Sequence, residues 1–238
     1  MSRDPGGDSE FVNESPDRAG RPRRPPRKAP PNRYRRGIAE RYGEEEQRRA
    51  AGCIGRPATG GDSFTDSELV DVLDAAGRPV ATVTRREMRV RRLPHRATYV
   101  LVFNRRGELF VHLRSPHKDV FPGHWDVAVG GVLAAGESFD EGARREAREE
   151  LGVDLEPEPL FPLHYADERT VVHGMVYRAR HDGPFRLQPE EIVRGEFLAL
   201  DAVAARAARE PFCPDGLAAL AEYRRRWPGR GGERRSVP

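Results

Sequence analysis

Only two cysteines occur in 238 residues, Cys53 and Cys213, far apart and in unlike segments. Neither a disulfide framework nor a zinc site of spaced cysteines can be built from them. No apolar run approaches the roughly 18 residues that cross a bilayer. Met1–Pro16 also lacks the apolar stretch of a signal peptide. The expectation is a reduced, cytoplasmic protein with no membrane partner. Apolar residues are scarce as well, at 37% against 33% charged. That balance suits an ordinary core diluted by polar flanks.

The acids are missing from one place in particular. Arg21–Arg36 carries eight Lys/Arg and five Pro with no Asp or Glu. A segment of this kind buries too little apolar area to offset its ordering entropy, so residues 1–62 are expected to form a disordered basic tail. Ser63–Tyr223 holds 21 Lys/Arg and 27 Asp/Glu, a net of −6, whereas the whole chain is +3; the flanks together carry +9. The folded part, expected over 63–227 with a short flexible tail at 228–238, is therefore acidic. Nucleic acid is conceivable as a partner of the basic tail, but a solvated tail is the better reading of a bare charge run.

From Ser67 the pattern turns regular. Glu68–Asp74 and Pro79–Thr84 flank Ala75–Arg78 and read as a hairpin. Arg85–Arg92 reads as a short helix or a charged connector. Ala97–Asn104 and Glu108–Arg114 bracket Arg105-Arg106-Gly107 as a second hairpin. Trp125–Gly131 is a strand running into paired glycines, and further strands are expected at Val171–Arg180 and Glu196–Leu200. Phe139–Leu151 and Asp215–Arg226 are the helices. Strands, a central helix, more strands and a terminal helix predict an α/β fold: a mixed sheet with helices on its faces.

The central helix carries its own start and stop. Ser138 with Glu141 forms a capping box, and Gly152 stands where a left-handed residue ends a helix. Ala143, Ala147 and Leu151 recur every four residues as a narrow apolar stripe. On the other face Glu146, Glu149 and Glu150 fall at i, i+3 and i+4, so their carboxylates share one turn. Like charges so placed cost a few tenths of a kcal/mol per pair. A hard cation such as Mg²⁺ takes oxygen ligands of this kind. Arg145 can pair with Glu149 or Glu141 and orient a carboxylate. An isolated Glu cluster on a helix is ordinarily a solvated face.

Gly131, Glu137, Arg145, Glu146, Glu149, Glu150 and Gly152 together have the spacing of the Nudix box, in GVLAAGESFDEGARREAREELGV. The departure is Ala147, where the family prefers a bulky aliphatic. The resemblance runs over about 67–227. HRATYVLVFN, RSPHKDVFPGHWDVAVGG and QPEEIVRGEFL are similar to the Nudix branch related to isopentenyl-diphosphate isomerase, and within it to bacterial YfcD-type hydrolases. The resemblance implies an α/β/α sandwich whose box, a loop–helix–loop, holds Mg²⁺ or Mn²⁺ against a small-molecule diphosphate.

It also implies roles. Glu146 and Glu150 would be the principal metal ligands, Glu149 a ligand or base, and Gly131 a carbonyl donor. Glu191, in the loop before a late strand, is a second candidate base. Arg114 and Lys118 are candidate phosphate grips, while Trp125 and Phe121 are better assigned to the core than to base stacking. The isomerase reaction needs a cysteine and histidine ligands. Gly130 and Val132 stand in two of those places, and the retained His95 reads as a packed residue. That leaves hydrolysis of a diphosphate linkage in a nucleoside-diphosphate-like substrate. The alternatives are an isomerase-like enzyme, a nucleotide-sensing module, or an RNA-associated one. The substrate and oligomeric state are not legible.

Overall fold

The computed structural model describes residues 67–228. The expected basic tail and almost all of the expected C-terminal tail lie outside them. In chain order the elements are β1 (Leu69–Leu73), β2 (Pro79–Thr84), α1 (Arg85–Val90), β3 (His95–Phe103), β4 (Leu109–Arg114), β5 (Trp125–Asp126), α2 (Phe139–Leu151), β6 (Glu158–Ala166), β7 (Val171–Arg180), β8 (Ile192–Leu198), α3 (Leu200–Ala207) and α4 (Pro214–Arg226).

Alternation along β3 sets the layers. Ala97, Tyr99, Leu101 and Phe103 enter one core with Val203, Ala219, Leu220 and Tyr223 of α3 and α4. Val100 and Val102 enter the other, with Ala143, Ala147 and Leu151 of α2. A strand apolar on both faces must be covered on both, and the result is the expected α/β/α sandwich. The two alanines of the α2 stripe are fully buried, so this helix lies close on the sheet.

Six strands form the central mixed sheet, in the order β5-β4-β3-β7-β6 with β8 against β4. The expected first hairpin is present as β1 and β2, a separate antiparallel pair. The second hairpin closes at its turn only. β3 and β4 share one pair, Phe103 with Leu109, and β3 runs parallel to β7 over its whole length. Where they splay, residues 125–132 fill the gap. Trp125 and Asp126 pair with β4, while Val129 and Val132 bridge back to β3 at Val100 and Ala97. The expected strand at 125–131 is thus a two-residue strand followed by isolated bridges.

Three elements depart from the sequence reading. β6 went unread because Pro159 and Pro162 lie within it; it is an edge strand, where a missing donor leaves no ladder bond unmade. β8 begins four residues earlier than expected, at Ile192. α3 has no side-chain cap to announce it. The capping box of α2 and its left-handed Gly152, φ 66°, are as expected.

β1, β2 and α1 form a small module ahead of β3. Val70, Val72 and Met88 pack on Leu93 and Val132. The Asp71 carboxylate accepts from Arg96 at 2.8 Å and from the Gly136 N–H at 2.9 Å, and Ala135 N–H donates to Leu69 O. These bonds seat the module on the loop that leads into α2.

Candidate active site

Two of the three helix carboxylates are buried. Glu146 and Glu150 are 9% and 3% exposed, whereas the Glu149 side chain is half exposed. Burial is the first cause that raises the pKa of both buried groups; the Glu149 charge raises Glu146 further, and the Glu146 charge raises Glu150. Glu150 is pushed up to about 8, with Lys118 and Arg114 pulling the other way. One of its oxygens, Oε2, has no hydrogen-bond partner. A buried acceptor left without a donor or cation is costly.

Arg145 organises the rim. It reaches Glu137 with Nε at 2.8 Å and a second nitrogen at 2.9 Å, Glu146 at 2.9 Å and Glu149 at 3.1 Å. The sequence allowed a pairing with Glu141, but Glu141 is taken by its capping box with Ser138. Glu137 also accepts the Ala134 N–H at 2.9 Å, so one guanidinium ties the loop before α2 to the face of the helix. Among the described residues, no three His, Cys, Asp or Glu side chains sit close enough together to ligate a metal as they stand.

The glycines before the helix are demanded by contact. A Cβ on residue 131 would lie 2.5 Å from Glu146 Oε1, so the missing side chain makes room for the carboxylate. The Gly131 carbonyl accepts the Thr98 N–H at 3.0 Å, so the expected carbonyl donor already serves the bridge to β3. At Gly130 a Cβ would fall on the Thr98 carbonyl oxygen. The backbone here has no space for the side chain that the isomerase chemistry would need. His95 is a packed histidine, 2% exposed, with Nδ1 2.9 Å from Leu93 O and a pKa lowered to about 3 by burial.

The end of β4 and the loop that follows it supply the cations. Lys118 binds the Glu191 carboxylate and lies 3.9 Å from Glu150, and burial lowers its pKa. It joins Glu191, from the loop before β8, to the helix pair. Arg114 pairs with Asp126 at 3.5 Å and donates to Val120 O at 2.9 Å, leaving its Nε without a partner. Trp125 and Phe121 are both buried. Trp125 packs on Phe212, and Phe121, at φ 52°, also lines a cleft.

That cleft is lined by Gly131 and Lys118, by Arg85 and Arg89 of α1, and by Thr98 and Asp126. The sequence reading missed Arg85, Arg89 and Thr98. Arginines on a short charged helix and a mid-strand threonine carry no local signal of a site; only docking of the module places them here.

Could a divalent cation be held at the helix? The donors are hard carboxylate oxygens, one of them unpartnered, and two buried carboxyl groups stand one helical turn apart. These features fit a Mg²⁺-type ion.

Residues 93–216 match the NUDIX domain model. The chain is 38% identical over 160 residues to an uncharacterized Nudix hydrolase of Pseudomonas aeruginosa, covering 67% of this chain and 95% of that protein. It is 37% identical over 167 residues to the uncharacterized Nudix hydrolase YfcD of Escherichia coli, covering 68% and 90% respectively. Among solved structures, that of DR0079 from Deinococcus radiodurans superposes with a TM-score of 0.57 at 32% identity, over 67% of this chain and 98% of that one. With the family segment spanning the sheet, the α2 carboxylates and the Glu191 loop, this chain belongs to the Nudix family of hydrolases.

Proposed function

We propose that the protein is a divalent-metal-dependent hydrolase that cleaves a diphosphate linkage in a nucleoside-diphosphate-like substrate. The observation that carries this reading is Glu150: a carboxylate 3% exposed, beside a second buried carboxylate, with one oxygen unbonded. Glu146 and Glu150, with Glu149 at the rim, would hold Mg²⁺ or Mn²⁺. The bound ion would offset phosphate charge and lower the pKa of water.

The chain's own residues do the rest. Arg145 fixes Glu146 and Glu149 against the loop through Glu137. Gly131 keeps the carboxylate's space clear by its missing Cβ. Lys118 balances the buried acids and, with Arg114, grips phosphate oxygens once substrate competes for them. For the proton acceptor, Glu191 is better placed than Glu149. Lys118 joins it to the buried pair, whereas Glu149 is half exposed and paired with Arg145.

A panel of ADP-ribose, dinucleoside polyphosphates, oxidised nucleotides and prenyl diphosphates, each with Mg²⁺ or Mn²⁺, tests the reading. Metal-dependent phosphoanhydride cleavage that disappears in Glu150→Gln is expected. Binding without turnover would favour a sensor, and double-bond migration without phosphate release an isomerase.

A further inference from the structure

We infer that the module ahead of the family segment takes part in substrate selection: Arg85, with Arg89 beside it, receives a second anionic group of the substrate, a phosphomonoester or a carboxylate. The inference rests on the hydrolytic reading above and extends it. Both arginines precede residue 93, where the family match begins, yet both line the cleft that opens at Gly131 and Lys118.

Their surroundings favour an anion. Arg85 bonds Glu68 at 3.3 Å through one terminal nitrogen, and its Nε is buried with no hydrogen bond. The nearest carboxylate to that nitrogen, Asp119, is 3.8 Å away and gives its 3.0 Å bond to Arg89 instead. Thr98, which lines the same cleft, has a hydroxyl that is likewise unpartnered on a side chain only 1% exposed. Two buried donors without acceptors therefore belong to side chains that line one cleft. Buried donors are costly unless something accepts from them, and a tetrahedral or planar oxyanion accepts from several at once.

Arg85 lines the same cleft as Gly131 and Lys118, so an anion held there and the phosphoanhydride at α2 can belong to one molecule. The module is held for this purpose by Asp71, Arg96 and the Val132 contact, next to the box glycines.

The test compares substrate pairs that differ by one anionic group: NADPH with NADH for a phosphomonoester, UDP-glucuronate with UDP-glucose for a carboxylate. Wild-type protein should prefer the anionic member of one pair, which identifies the group. In Arg85→Gln its KM should rise about tenfold, the scale of one charge-assisted hydrogen bond, with kcat and the KM of the neutral member nearly unchanged. Glu68→Gln breaks the same Arg85–Glu68 pair from outside the cleft and should leave both KM values alone. Equal effects on both members of each pair, or none, overturn the inference.

If wild type hydrolyses nothing, the hydrolytic reading fails by itself. The anion site is then judged by calorimetric titration of inorganic phosphate into full-length protein in EDTA. About tenfold weaker binding by Arg85→Gln than by wild type supports the site; identical binding curves overturn it.

Discussion

A Cβ placed on Gly131 would lie 2.5 Å from Oε1 of Glu146, closer than real side chains approach. The glycine is thus the complement of the carboxylate: one gives up volume so that the other can be buried at 9% exposure. Gly131→Ala should push Glu146 off its position against Arg145. The strain is expected to cost about 1–3 kcal/mol of stability. A carboxylate displaced by about 1 Å should lower turnover by about a hundredfold. Urea unfolding and steady-state hydrolysis check the two effects. Wild-type turnover in this variant would show that Glu146 needs no fixed place.

Arg145 makes four carboxylate contacts, to Glu137 twice and to Glu146 and Glu149 once each. Lysine keeps the charge but lacks the planar fork that spans them. Arg145→Lys should weaken metal affinity by about 10–100-fold, the usual effect of losing a group that orients ligands. Far-ultraviolet circular dichroism should be unchanged. An Mn²⁺ titration followed by electron paramagnetic resonance measures the affinity directly. Unaltered Mn²⁺ binding would reduce Arg145 to a surface pair.

Gly130, where the resemblance places the isomerase cysteine, has no room for a side chain. Its backbone, at φ 152°, passes so close to Thr98 that a side chain would strike the carbonyl oxygen. Gly130→Cys should therefore destabilise the fold by about 3 kcal/mol, at the upper end of overpacking costs. It should confer no double-bond migration on prenyl diphosphates. Thermal unfolding and product analysis by nuclear magnetic resonance check both. A stable, isomerising variant would mean that the backbone here is more adaptable than its contacts suggest.

Local rules made much of this molecule readable. Ser138, Glu141 and Gly152 bounded α2 to the residue because capping is settled within one turn. The 3.6-residue spacing likewise put Glu146 and Glu150 on one face. What the spacing could not show is the outcome at Glu149. Glu149 is half exposed and pairs with Arg145, whose other expected partner, Glu141, is taken by the cap. Lys118 was expected to hold phosphate, yet it rests on Glu191, a partner 73 positions away that only the fold supplies. Arg85–Arg92 reads in sequence as a short helix or a charged connector and is helical over Arg85–Val90, but nothing local ties Arg85 and Arg89 to the cleft. The β3–β4 hairpin misled because its turn is local, while the splaying beyond Phe103 is imposed by β7 and residues 125–132.

The buried pair on α2 also sets a pH dependence whose sign can be worked out. Glu150 has an ordinary pKa of 4.5 and is pushed up to about 8 in the folded chain, first by burial. Without metal the folded state therefore holds a proton that the unfolded state releases. This contribution to stability is fully present below about pH 4.5 and is lost as pH rises through about 8. His95 and His112, both lowered to about 3 by burial, act oppositely, and their loss comes as pH falls below 6.5. Between pH 6.5 and 8 the carboxylates are thus left to dominate among these groups. In EDTA the wild-type Tm should fall across that window, and in Glu150→Gln it should stay nearly flat. Saturating Mg²⁺, at a hundred times its Kd, should add about 2.7 kcal/mol to wild type and little to the variant. A divalent ion replaces the proton, so its effect should grow with pH. Differential scanning calorimetry at pH 6.5, 7.25 and 8, with and without Mg²⁺, reads all three trends. Wild-type and Glu150→Gln curves that run parallel in EDTA and rise equally with Mg²⁺ would remove Glu150 from the metal centre.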